Sequence, residues 1–271
     1  MDENIVIGVT YQNHLIISIG DTLCLTPIIE EISKQKNQLI NVSASIPELF
    51  FNNPYVIGTN TDNPTINLSP CLSYDCNIVK YYASQLNIEL PKNSKPKIYL
   101  SDEEKKYGRY QLSEFEGFKR IAVSTTTSTD CKDLRYEYIL PLLNRLKDRG
   151  YILIGVGKGN LDARYDFNKS FFNRTSLRES CSIINTCHLY LGVDAGLYHI
   201  AAALDVPQVV FFRNNQSANN SYPNTYNIES RIKCEGECLA RHLHVCQAEN
   251  RCMDNFDLER YYNLITKVLP I

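Results

Sequence analysis

Residues 188–212, HLYLGVDAGLYHIAAALDVPQVVFF, decide the fold. HLYLGVD (188–194) reads as a buried strand, LYHIAAAL (197–204) as a short Ala-rich helix and PQVVFF (207–212) as the next strand, a β-α-β unit. Three polar exceptions, Asp194, Gly196 and His199, fall where the first strand hands over to the helix. Open α/β sheets bind ligands outside the carboxyl ends of their strands, and a helix start offers unpaired N–H groups to an anion. Two readings stay open for these residues: a phosphate-binding turn, or a helix capped by Asp194 with His199 as a satisfied core histidine.

Upstream, the same alternation begins at Arg120. RIAVSTTT (120–127) reads as a strand entering a hydroxyl-rich turn, and RYEYILPLLNRLKDRG (135–150) as a helix stopped by Gly150. YILIGVGKGN (151–160) reads as a strand ending in a Gly-rich loop, without the G-x-G-x-x-G and long helix of a dinucleotide site. SLRESCSIINTC (176–187) is a helix, and FDLERYYNLITKVL (256–269) a final amphipathic one. The turn STTTSTDCKDL (124–134) places hydroxyls, backbone amides and Lys132 at a strand end, which suits phosphate oxygens as well as it suits a solvated loop.

The first half repeats the alternation less cleanly. HLIISI (14–19) reads as a short strand ending at Gly20-Asp21, with NIVIGVTY (4–11) as an additional strand before it. TLCLTPIIEEISKQ (22–35) follows as a helix with Pro27 in its first turn, and QLINVSAS (38–45) as a strand. NIVKYYASQLNIEL (77–90) is an amphipathic helix. The polar stretch 91–119 marks the boundary between two Rossmann-like lobes, 1–114 and 115–271. Asp21 reads either as a helix cap or as a carboxylate facing the cleft, placed to take a proton.

Composition narrows the partners. The 271 residues carry a net charge of −2 with both signs interspersed, which argues against nucleic acid. No apolar run approaches the ~20 residues of a membrane helix, and the acidic start MDENIVIGV lacks a secretory signal, so a soluble cytoplasmic protein is expected. Of ten cysteines, six (Cys24, Cys71, Cys76, Cys131, Cys181 and Cys187) lie in apolar stretches and read as reduced core residues. Cys234, Cys238, Cys246 and Cys252 are separated by three, seven and five residues. They offer four thiolates for zinc or iron, with His242 and His244 as alternative ligands, or else pin a loop by packing.

Together SIGDTLCLTPIIEEI (18–32), IAVSTTTSTDCKDL (121–134) and RTSLRESCSIINTCHLYLGVDAGLYHIAAALDVPQVVFF (174–212) resemble glycosyltransferase family 9, the ADP-heptose:lipopolysaccharide heptosyltransferases. The resemblance extends to the cysteine-rich segment 234–252 and the helix after it, and it implies a GT-B fold whose active site lies in the cleft between the lobes. The first lobe is reduced, and Ala195 replaces the usual hydroxyl residue. The implied reaction is inverting transfer of a sugar, heptose as the first expectation, from a nucleoside diphosphate to a hydroxyl of a glycolipid, glycan or protein. By position, Asp21 would be the base, Thr127, Ser128 and Lys132 would hold the diphosphate, and Asp194 would contact the donor sugar. Ala195, Gly196 and His199 would contact phosphates, and Thr175 would line the base pocket. No catalytic metal is implied, while a structural zinc or iron at the four cysteines is. The alternative is a non-catalytic nucleotide-sugar-binding or assembly protein descended from such an enzyme.

Overall fold

A computed structural model describes residues 5–71, 77–127, 132–159, 164–212, 221–229 and 257–271. Two parallel sheets form two lobes. In the first, β1 (Val6–Tyr11) is central, paired in parallel with β3 (Ile40–Ser43) and β5 (Ile66–Leu68), and β3 pairs with β4 (Val56–Asn60). Here the structure corrects the expected start. The apolar run Val6–Val9 supplies the buried parallel strand, while of HLIISI only His14–Leu15 pairs as a strand, β2, folded antiparallel onto β1. Gln12 and Asn13, at φ 50° and 65°, make the two-residue turn between them, the left-handed pair that suits a tight hairpin.

Ser18 then starts a helix, α1 (Ile19–Leu23), by accepting the Asp21 N–H on its hydroxyl at 3.3 Å. Gly20 and Asp21 are therefore helical residues of the first turn and not the end of a strand. α2 (Thr26–Lys36) follows with Pro27 in its first turn and ends at Asn37 in the left-handed conformation. α3 (Ile78–Gln85) is capped by the Asn77 side chain.

The second sheet contains β6 (Arg120–Ser124), β7 (Ile152–Gly155), β8 (Lys169–Ser170), β9 (Leu189–Val193), β10 (Gln208–Phe212) and β11 (Thr225–Glu229). They lie in the order β11-β10-β9-β6-β7-β8, all parallel. The chain thus steps outward from β6 through β7 to β8, then returns to the other side of β6 with β9. That reversal makes the β6/β9 pair a topological switch point, the place where such sheets leave a crevice.

One face of this sheet is covered by α5 (Tyr136–Asp148) and α8 (Leu258–Val268), which bury Leu142, Leu146 and Ile265. The other face is covered by α6 (Leu177–Thr186) and α7 (Gly196–Ala203). Its core is continuous with that of the first lobe: Ile7, Leu23 and Ile28 belong to the same buried cluster as Tyr198, Ile200 and Phe212. The polar stretch 91–119 contains α4 (Asp102–Gln111), opened by a reciprocal Ser101–Glu104 capping box. α4 packs along α6, where Arg178 grips both Glu104 oxygens at 2.6 Å and also donates to the carbonyls of Tyr99 (2.7 Å) and Glu48 (3.3 Å). Its polarity belongs to a solvated helix face. Among the described residues no helix is long and apolar enough to cross a membrane.

Candidate functional site between the lobes

Asp21 occupies the third position of α1, half-buried. Ser18 Oγ donates to one of its carboxylate oxygens at 2.7 Å, and the phenol of Tyr82, reaching over from α3, lies 3.4 Å from the other. Burial, helped by the Asp21 charge, pushes the Tyr82 phenol well above its ordinary pKa, so it stays protonated and able to donate. The helix is capped by Ser18, which leaves the carboxylate of Asp21 held by two hydroxyls.

Across the interface, Lys132 and Asp194 span the switch point. Lys132 follows β6 and Asp194 follows β9; the ammonium donates to Asp194 Oδ2 at 3.0 Å and to its backbone carbonyl at 3.1 Å. Asp194 is almost fully buried, whereas about a quarter of the Lys132 side chain is exposed (26%). The N-cap residue of α7 is Ala195 and not Asp194. A buried carboxylate needs a counter-charge, and Lys132 supplies one. The turn after β6 is shaped by a residue the sequence did not single out, Asp133, whose carboxylate accepts the Thr127 N–H at 2.6 Å. Ser128 lies outside the described residues.

α7 begins at Gly196, and its first turn meets the first turn of α1. A β-carbon on Gly196 would lie 2.9 Å from Ile19 Cβ, and one on Gly20 would lie 2.6 Å from the His199 ring. Glycine at both positions lets the two helix starts touch. His199 is buried, with Nε2 3.8 Å from Asp194 Oδ1 and Nδ1 2.7 Å from the hydroxyl of Tyr222. The structure therefore brings Lys132, Asp194, Ala195, Gly196 and His199 into one wall and sets Gly20-Asp21 against it.

Thr175 is engaged locally. Its hydroxyl pairs with Ser180 at 2.8 Å, just before the Ser176–Glu179 capping box that opens α6, and among the described residues its hydrogen bonds do not reach Lys132, Asp194 or His199. The Gly-rich turn after β7 is pinned by Asn173, which bonds both the N–H (3.0 Å) and the carbonyl (2.8 Å) of Gly159. Cys24, Cys71, Cys181 and Cys187 are buried, while Cys76 and Cys131 lie outside the described residues. Cys234, Cys238, Cys246 and Cys252, with His242 and His244, also lie outside them, and among the described residues no group of His, Cys, Asp or Glu side chains could hold a metal. Tyr82 and Tyr222 act from other elements and no local pattern marks them, whereas Asp133 lies within the turn it shapes.

A family model described as glycosyltransferase family 9 (heptosyltransferase) matches residues 77–235. Among solved structures, the family 9 glycosyl transferase of Veillonella parvula superposes with a TM-score of 0.75 at 13% identity, over 99% of this chain and 98% of that one. The ADP-heptose lipopolysaccharide heptosyltransferase II of E. coli gives 0.72 at 14% identity, covering 97% and 98%. The iron-containing dodecameric glycosyltransferase TibC of enterotoxigenic E. coli gives 0.72 at 13%, covering 98% of this chain and 76% of its own. No curated protein matches by sequence. These superpositions share the two-lobed GT-B architecture, and with a family model spanning more than half its length the chain belongs to glycosyltransferase family 9.

Proposed function

We propose that the protein transfers heptose from ADP-heptose, with inversion, to a hydroxyl of a glycolipid, glycan or protein. The observation that carries this reading is the Lys132–Asp194 pair at the switch point, with α7 starting beside it and the first turn of α1, which holds Asp21, packed against the first turn of α7. The acceptor oxygen attacks the anomeric carbon as the bond to the diphosphate breaks, and the acceptor proton passes to Asp21. Ser18 and Tyr82 orient that carboxylate. Negative charge gathers on the departing diphosphate, and Lys132 together with the N–H groups at the start of α7 offsets it. Asp194 keeps the ammonium at the crevice and, among the described residues, accepts two of its three N–H bonds, which leaves the third for a ligand oxygen.

Thr127 and Ser128 complete the diphosphate cradle in this reading, Ala195, Gly196 and His199 face phosphate, and Thr175 is assigned to the adenine side by resemblance alone. Cys234, Cys238, Cys246 and Cys252 are the candidate ligands of a structural zinc or iron; TibC is described as iron-containing. A cytoplasmic site of action, where buried cysteines stay reduced, belongs to this reading. One related structure is TibC in complex with ADP-D-beta-D-heptose, which makes that compound the donor to try first. The experiment is Asp21→Asn assayed for donor turnover and for ADP binding. Turnover is expected to fall by about 10²–10⁴, the usual worth of a general base, with ADP binding kept. Turnover at the wild-type rate would remove Asp21 from the mechanism.

A further inference from the structure

One buried hydrogen-bonded chain crosses the lobe interface and ends at His199. Cys24, the residue that closes α1, places its sulfur 3.2 Å from the hydroxyl of Tyr222, and that hydroxyl lies 2.7 Å from His199 Nδ1. All three side chains are buried. Tyr222 is packed in place by Tyr198 and by the His199 ring, with centroids 5.4 and 5.6 Å apart.

Proton counting decides the direction of this chain. Burial pushes both the Cys24 thiol and the Tyr222 phenol well above their ordinary pKa values, so each carries one hydrogen at neutral pH. A phenol has one hydrogen to give and lone pairs to receive. Lys132 already neutralises Asp194, so His199 is counted as a neutral imidazole. If the phenol gives its hydrogen to Cys24, that imidazole must be protonated on Nδ1, and the bare lone pair of Nε2 then points at the Asp194 carboxylate 3.8 Å away, which is repulsive. If the thiol gives its hydrogen to Tyr222 and Tyr222 gives its own to Nδ1, Nε2 carries the proton and faces that carboxylate favourably. The second arrangement leaves no two like poles opposed.

We propose that Tyr222 is a positioning residue: held by the Cys24 thiol of the opposite lobe, it fixes His199 as the neutral Nε2–H tautomer, so that the histidine presents an N–H donor beside Asp194 and Gly20. The role of that donor rests on the reading of this wall as the diphosphate site. A phosphate oxygen can accept from N–H but is repelled by a lone pair, so the tautomer decides whether His199 helps or hinders the donor nucleotide. Because Cys24 belongs to one lobe and His199 to the other, the setting is made only where the lobes meet.

The test is the ring-nitrogen NMR spectrum of ¹⁵N-labelled protein at neutral pH. The chain has five histidines, and His199→Gln assigns the signal. Wild type is expected to show Nε2 protonated and Nδ1 bare; Nδ1 protonated in wild type overturns the inference whether or not any variant folds. Tyr222→Phe should shift His199 towards a mixture of tautomers and weaken ADP binding about five-fold, the worth of one ordinary hydrogen bond. Cys24→Ser, which keeps a donor, should retain the wild-type spectrum. A Tyr222→Phe spectrum identical to wild type also overturns it. If His199→Gln binds ADP as well as wild type does, the diphosphate reading of His199 fails, while the tautomer measurement, made without ligand, still stands on its own.

Discussion

Gly20 lies directly against the imidazole of His199, so close that a β-carbon on the glycine would sit 2.6 Å from both Cδ2 and Nε2 of the ring. His199 cannot retreat cheaply: it is buried, bonded to Tyr222 and packed against Tyr198 at 5.0 Å between centroids. Gly20→Ala should therefore push α1 away from α7. Overpacking of this kind costs about 1–3 kcal/mol, measurable as a lower urea midpoint with an unchanged slope. Donor turnover should fall with it, because Asp21 moves with its neighbour. A variant with wild-type midpoint and turnover would show that the interface has slack there.

Lys132 is the counter-ion of a carboxylate only 3% exposed. Lys132→Met is therefore expected to destabilise the fold as well as to weaken ADP binding. Removing one partner of a fully buried pair costs about 3–5 kcal/mol. The exposed quarter of Lys132 lets water take over part of its task, so the loss should fall below that range. Adding Asp194→Asn should recover much of the stability without restoring binding. Equal stability of the single and double variants would mean that Asp194 finds another counter-charge.

The Arg178–Glu104 clamp makes a prediction about acid. Arg178 beside Glu104 holds that carboxyl below its ordinary value, against the opposing effect of burial. A carboxyl whose pKa is lower folded than unfolded contributes stability that is complete above the ordinary value of 4.5 and is lost as pH falls through the lower, folded value. Glu104→Gln should therefore flatten the decline of thermal stability with acid below about pH 4.5 and lower stability at neutral pH. Parallel wild-type and variant curves from pH 7 to 3 would show that the pair contributes nothing.

How far this was readable beforehand depended on where each signal lay. The second lobe was legible because its strands are buried on both faces and its helices carry their own stop signals, such as Gly150 at φ +102° after α5. The start of the first lobe is less legible: HLIISI is more apolar to the eye than the run that pairs with β3 and β5, and the Gln12-Asn13 turn between them has no glycine to mark it. α4 was hidden by its charge, since its docking rests on Arg178, seventy-four residues away. Asp194 and His199 stand out in the sequence as polar residues in an apolar stretch, and Lys132 stands out in its own turn, but that they meet one another and Tyr222 follows only from the sheet order. β8 and β11, two and five residues long at the sheet edges, carry too little pattern to be read.

The shared core has a consequence for how the molecule comes apart. Since Leu23 and Ile28 sit in the same apolar cluster as Tyr198 and Phe212, separating the sheets would wet a face that neither lobe can cover alone. The lobes are distinct in topology but joined in stability: they should melt in one cooperative step, and either one expressed by itself should be prone to aggregate.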